Sequence, residues 1–157
     1  MSAYIHEGMT KVSWVVTLSS VSAPTAVQLT AGTDITELIT KDGLAISLTQ
    51  NNVENTSLAE TFDSQLVGSW SGDPSLTFKR DNAADTAWDL FEWGAVGFLV
   101  VRRGLAYTTA YAAAQDVEVY PAQAHEPIPN NTAANAQATA TVKFAITEQP
   151  NLHAVVA

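Results

Sequence analysis

The chain contains no cysteine. That absence excludes disulfide staples, thiolate metal ligands and cysteine nucleophiles together, and it fits synthesis in a reducing cytoplasm. Positive charge is scarce as well: seven bases face sixteen acids, a formal net charge of −9. A protein that grips nucleic acid by its phosphates needs the opposite balance, because those contacts are made by Lys and Arg. Long apolar runs are missing too. The longest, residues 95–101, stops at Arg102 and Arg103 and falls far short of the ~20 residues of a membrane-spanning helix. Residues 1–10 carry His6 and Glu7 and lack a basic stretch leading into an apolar one, so no signal peptide is expected there.

The chemistry of catalysis is equally thin. His6, His125 and His153 fall in no HxxxH or HExxH spacing, which leaves zinc without local support. Ser69 and Ser71 stand between Gly68 and Gly72 but do not make the G-x-S-x-G elbow of a nucleophilic serine. No glycine-rich phosphate cradle occurs. Asp85 and Asp89 are a pair a glycosidase could use in principle. Acids on an exposed helix edge are ordinarily solvation, and Asp85 also suits a helix N-terminus. Asp63, Asp73 and Asp81 are too dispersed for a calcium loop. Trp14, Trp70, Trp88 and Trp93 could form a sugar platform, although core packing is the better default for tryptophans in strands and helices. Arg102-Arg103 could touch phosphate, but two bases are not a patch. No catalytic, cofactor or metal residue is therefore expected.

What the sequence does contain is the makings of a core: 46% hydrophobic residues and 15% charged ones over 157 positions, the length of one domain. Residues 1–13 read as an N-terminal arm. Trp14, Val16 and Leu18 share one face of an expected strand over 14–19, and 26–29 reads as a second strand. Residues 35–39 are ambiguous between a strand and one helical turn. Asp42-Gly43 is a tight-turn signal, followed by alternation at Leu44, Ile46 and Leu48. Residues 50–65 are long, polar and Asn-rich, with Val53, Leu58 and Phe62 as the large apolar residues, and read as an extended loop or hairpin reaching beyond the body. A turn over 71–74 separates expected strands at 66–70 and 75–79.

One helix is expected over 83–93, capped by Asp81-Asn82 and closed by Gly94, with Trp88 and Phe91 on its buried stripe beside Ala84. Residues 96–101 form an apolar, central strand. Another holds Val117 and Val119 and ends at Pro121. Residues 127–131 read as loop. Ala140, Val142, Phe144 and Ile146 alternate in a last strand, and 150–157 reads as a C-terminal tail. The sum is a mainly β fold, a β-sandwich or barrel of about eight strands with one packed α-helix.

The order of these blocks resembles the tail tube (major tail) proteins of long-tailed, non-contractile bacteriophages, particularly those of actinobacteria. Ala31-Gly32-Thr33-Asp34-Ile35-Thr36 is similar to that family's "AG-D-[LI]-[TS]" stretch, and Glu60-Thr61-Phe62 falls near its "TFE"-like step. Gly97-Phe98-Leu99-Val100-Val101-Arg102 looks like its "GFLV.R" strand. Residues 116–123 resemble its "GD-V-VYPVQ" segment, with Gln115 where Gly is common. The resemblance implies a structural virion protein without catalytic residues, assembled into six-fold rings that stack helically into a tube. Its implied partners are further copies of itself and the tape measure, tail terminator and distal tail proteins. Double-stranded DNA passes through without specific binding, and no membrane is involved. An acidic inner wall would keep DNA off the surface within about a Debye length, ~8 Å at physiological salt. Two other readings stay open: a tail terminator, baseplate or secretion-tube ring protein, and a β-sandwich carbohydrate-binding or adhesive module.

Overall fold

In the computed structural model, which describes residues 2–157, nine strands and two short helices make a mainly β fold. β1 (Thr10–Val15) pairs antiparallel with β2 (Thr33–Asp34) on one side and β5 (Val96–Arg103) on the other. β5 pairs in turn with β6 (Asp116–Ala124). The far edge of β6 is shared: β9 (Asn151–Val155) lies along its first half and β8 (Thr139–Ile146) along its last residues. The first half of β8 joins β4 (Gln65–Lys79), which carries β3 (Ile39–Glu54), while β7 (Ile128–Pro129) flanks the other edge of β8. The order β2-β1-β5-β6-β8-β4-β3 begins and ends on different strands. The sheet is open, so the barrel alternative does not hold, and the strands number nine.

β8 is the corner that lets the two halves of the sheet share one core. Val12, Trp14, Leu99, Val101 and Tyr120 from one half meet Leu76, Phe78, Val142 and Phe144 from the other. Phe91 completes it: its ring stands edge-on to Trp14 (5.3 Å) and to Phe144 (5.2 Å). Gly97 makes room for the indole, since a Cβ there would lie 2.7 Å from Trp14 Cζ2. A second cluster covers the opposite face of β1, β5, β6 and β9. Val15, Val100, Val119 and Ala154 there meet Leu29 of α1 (Ala26–Ala31) and Tyr111 of the 104–115 segment. Burial on both faces explains the near-continuous apolar run of β5.

Several local expectations are corrected, each for an identifiable reason. Residues 10–13, read as arm, open β1, which ends at Val15; Val16 is exposed. Residues 26–29 are helical, because Thr25 and Gln28 form a capping box, each side chain bonded to the other's backbone N–H. Residues 36–38 take a single 3-10 turn. Asp42-Gly43 makes no hairpin: it sits in an irregularity of β3 between the Ile39–Phe78 and Leu44–Leu76 pairs. Gly43 is required there because a Cβ would meet Thr77 O at 2.3 Å.

The expected turn over 71–74 and the expected strand end at Pro121 fail in the same way. Residues 65–79 are one continuous strand, β4, and Pro74 lies inside it, opposite Ile46, one residue beyond the β8 ladder. Pro121 lies inside β6, opposite Phe98, in the gap between the β9 and β8 ladders. Each occupies a position with a ladder on one side, where a missing N–H costs least. The helix expected over 83–93 shrinks to α2 (Thr86–Leu90), flanked by Asp81 accepting from Ala83 N and by Asp85 bonded to Arg80. Ala84 is exposed, and Gly94, at φ +80°, lies beyond the Phe91 cap. Residues 128–129 pair as β7. The segment read as a tail provides β9, and Ala157 N still bonds Pro24 O at 2.9 Å.

Candidate self-assembly surface

The ladder of β3 and β4 runs far past the body. It continues through Asn52–Val67 and Val53–Leu66 to Glu54–Gln65, with an irregularity after Gln50, and residues 55–64 form the tip. The tip is built from local polar bonds. Asn55 N donates to Ser64 O (3.0 Å), Ser64 N to Thr56 Oγ1 (2.9 Å), and Ser57 N to the Glu60 carboxylate (3.1 Å). These bonds hold the tip together without burying anything apolar. Leu58 is fully exposed and Phe62 is 79% exposed. Val53 and Leu66 are exposed along the stem, and Val67 is 94% exposed. The sequence singled out Val53, Leu58 and Phe62. It missed Leu66 and Val67, whose adjacency in one strand would ordinarily bury at least one of them.

Where the hairpin leaves the body, a groove of about 700 Å³ opens between Val67, Gly68 and Trp70 on one wall and Val21, Pro150 and Leu152 on the other. On another side a groove of about 780 Å³ runs between the N-terminal segment and the base of β3. Glu7 and Lys41 pair across it at 2.7 Å. That hydrogen bond and the Lys41 charge hold the Glu7 carboxyl below the usual carboxylate range. The segment is also fastened by Gly104 N to Met9 O and Tyr107 N to Gly8 O, both 2.9 Å, while Ile5 stays exposed.

The outer side of β3, β4 and β8 is a face of another kind. Cross-strand partners Ala45–Ser75–Lys143, Ser47–Asp73, Thr49–Ser71, Thr77–Thr141 and Lys79–Thr139 share it. Small hydroxyl side chains dominate, and Asp73, Lys79 and Lys143 carry its charge. Thr77 and Thr141 bond across the strands at 3.0 Å.

The residues weighed for chemistry are dispersed. His6 lies in the N-terminal segment, His125 stacks edge-on against Trp93 (5.9 Å), and His153 lies in β9. Asp85 is committed to Arg80, whose guanidinium lies 3.6 Å over the Trp88 ring, and Asp89 points elsewhere on an exposed edge. Among the described residues no three potential ligands gather around a common point. Trp14 is buried, Trp70 and Trp88 are half-buried, and Trp93 is the exposed tryptophan, which leaves no platform of several rings.

Arg102 and Arg103 are not a phosphate patch either. Arg103 pairs with Glu118 at 2.9 Å, and Glu118 also accepts from Tyr120 OH at 2.8 Å. Arg102 is completely buried. It donates to Ala106 O (2.9 Å), Ala110 O (3.2 Å) and Gln115 Oε1 (3.1 Å), clasping the 104–115 segment onto the sheet. Burial pulls its pKa below the ordinary arginine value.

Fold and surface together describe a structural building block. The comparison with protein families says which: the model described as phage tail tube protein matches residues 1–157, and the chain belongs to that family. It is a non-catalytic structural component of the phage tail tube, and so of the virion's tail. Among solved structures it is similar to a chain of the cryo-EM structure of the anti-feeding prophage baseplate, 6-fold symmetrised. The TM-score is 0.62 at 12% identity, with 96% of each chain covered. That likeness is one of fold. No curated protein matches.

Proposed function

We propose that the whole chain acts as one tube-forming unit, polymerising into stacked six-fold rings through which the genome is ejected. The observation that carries this reading is the projecting hairpin, whose Leu58 and Phe62 find no partner among the described residues. Burying Leu58 and Phe62 against a neighbouring ring would remove each from water for about 1.5–3 kcal/mol, a gain repeated by every copy. The six-fold count is supported by the symmetry of the baseplate with the similar fold. The hydroxyl-rich face of β3, β4 and β8 suits the channel wall. It lacks the large apolar side chains of an interface core and the dense positive charge that would hold phosphate. The acid excess expected of the wall is not concentrated there, since Asp73 stands against Lys79 and Lys143. Tape measure, terminator and distal tail proteins are the partners this role requires.

Shortening the hairpin tests the reading. Replacing residues 51–69 by a two-residue Asn-Gly turn should leave a folded protein that forms no tubes in negative-stain micrographs. Normal tubes from the shortened chain would refute the bridging role. The similarity to a baseplate chain favours a second reading, a ring protein that does not elongate. Isolated rings from the full chain at every concentration would select it.

A further inference from the structure

We propose that the groove between the hairpin and the body receives the hairpin tip of a copy in the adjacent ring, seating Leu58 and Phe62 against Val21, Val67, Trp70 and Leu152. The inference rests on the hairpin being the bridge between rings, and it names the receiving surface.

Three observations select this occupant. First, the groove is lined by apolar and uncharged polar side chains, with His153 its one titratable group, in a chain of net charge −9. A charged side chain would lose its hydration there without gaining a counter-charge, whereas the Leu58 and Phe62 side chains lose nothing. Second, the tip presents the matching chemistry. Leu58 and Phe62 stand out from a loop pinned by bonds among Asn55, Thr56, Ser57, Glu60 and Ser64, in which the Glu60 carboxylate is drawn back onto Ser57 N.

Third, tip and groove lie at opposite ends of the same projection. The stem that forms one groove wall is a paired ladder out to Glu54–Gln65, roughly 13 Å past Gln50 at about 3.3 Å per residue, so the tip beyond it cannot fold back into its own groove. Two different patches that match each other make a head-to-tail contact, and such contacts propagate into an open stack when the rotation does not close. The same two surfaces therefore supply both the contact and its repetition along the axis.

The lack of native cysteine makes the test clean. Thr61→Cys places a thiol between the two anchors without removing either, and Ser22→Cys places one at the groove. Tubes of the double variant, checked by micrograph and treated with a short bifunctional maleimide, should give a ladder of covalent multimers on a denaturing gel. Each single variant should stay monomeric. Intact tubes without a ladder would overturn the groove assignment and leave the bridging role standing, as would an Ile5→Cys and Ser22→Cys pair that links in place of the tip. No tubes from the unaltered chain would overturn both. Val67→Lys is an independent reading at a side chain 94% exposed in the subunit. It should raise the concentration needed for tubes by roughly tenfold or more, and an unchanged threshold would contradict the proposal.

Discussion

Phe91→Ala removes the ring that ties α2 to the core. Phe91 is completely buried, stands edge-on to Trp14 and Phe144, and reaches Phe78 at 6.3 Å between centroids. Truncating a phenylalanine in such a site costs about 3–5 kcal/mol, a large share of the ~5–15 kcal/mol that holds a domain folded. For a chain of this length each kcal/mol moves the midpoint by about 2–4 °C, so the thermal midpoint should fall by roughly 6–20 °C. Trp88 is the control. It is half-buried, with Arg80 stacked on its outer face, and its replacement by alanine should cost about 1–2 kcal/mol. Near-ultraviolet circular dichroism of the unassembled protein, heated or titrated with urea, measures both. A loss below ~1 kcal/mol for Phe91→Ala, or a larger loss for Trp88→Ala than for Phe91→Ala, would refute the assignment of the anchor.

Three further outcomes are expected. Arg102→Met should loosen the 104–115 segment by removing the guanidinium bonds to Ala106 O, Ala110 O and Gln115 Oε1, at about 1–3 kcal/mol; limited proteolysis should then cut within that segment, and unchanged resistance would count against the clasp. Burial raises Tyr111 and, with the Glu118 bond, Tyr120, while the Glu37 bond raises Tyr107. Unfolded tyrosines ionise near pH 10, so stability present below that pH should be lost as pH rises beyond it; phenolate absorbance coinciding in folded and urea-unfolded protein would contradict this. Gly97→Ala should destabilise by about 1–3 kcal/mol by driving a methyl into Trp14, and an unchanged urea midpoint would show that the indole can move aside.

Sequence patterns were most informative where one periodicity acted alone. The apolar run of β5 stands out because burial is near-continuous along it, and Ala140, Val142 and Phe144 stand out because burial alternates residue by residue along β8. Legibility failed where a long-range partner decided the outcome. Pro74 and Pro121 look like stops until the fold shows that each position has a paired strand on one side only. Gly43 looks like a turn until Thr77 is found packed against it. The helix at 26–31 was the most recoverable miss, because Thr25 and Gln28 spell its capping box within four residues. Of the surface, the polar stretch before β4 betrayed a projection. The hydroxyl face could not be seen, because its side chains come from three strands far apart in sequence. Arg102 and Arg103 are adjacent and chemically identical, yet one is buried and the other paired with Glu118, a distinction only the fold makes.

A helical cryo-EM reconstruction of the assembled tube, resolved to side chains, tests the central claim most directly. The expected density shows each hairpin crossing to the next ring with Leu58 and Phe62 buried against it, and Ser47, Thr49, Ser71 and Ser75 facing an open channel. A tube in which Leu58 and Phe62 remain in solvent, with rings held together by other surfaces, would contradict the account.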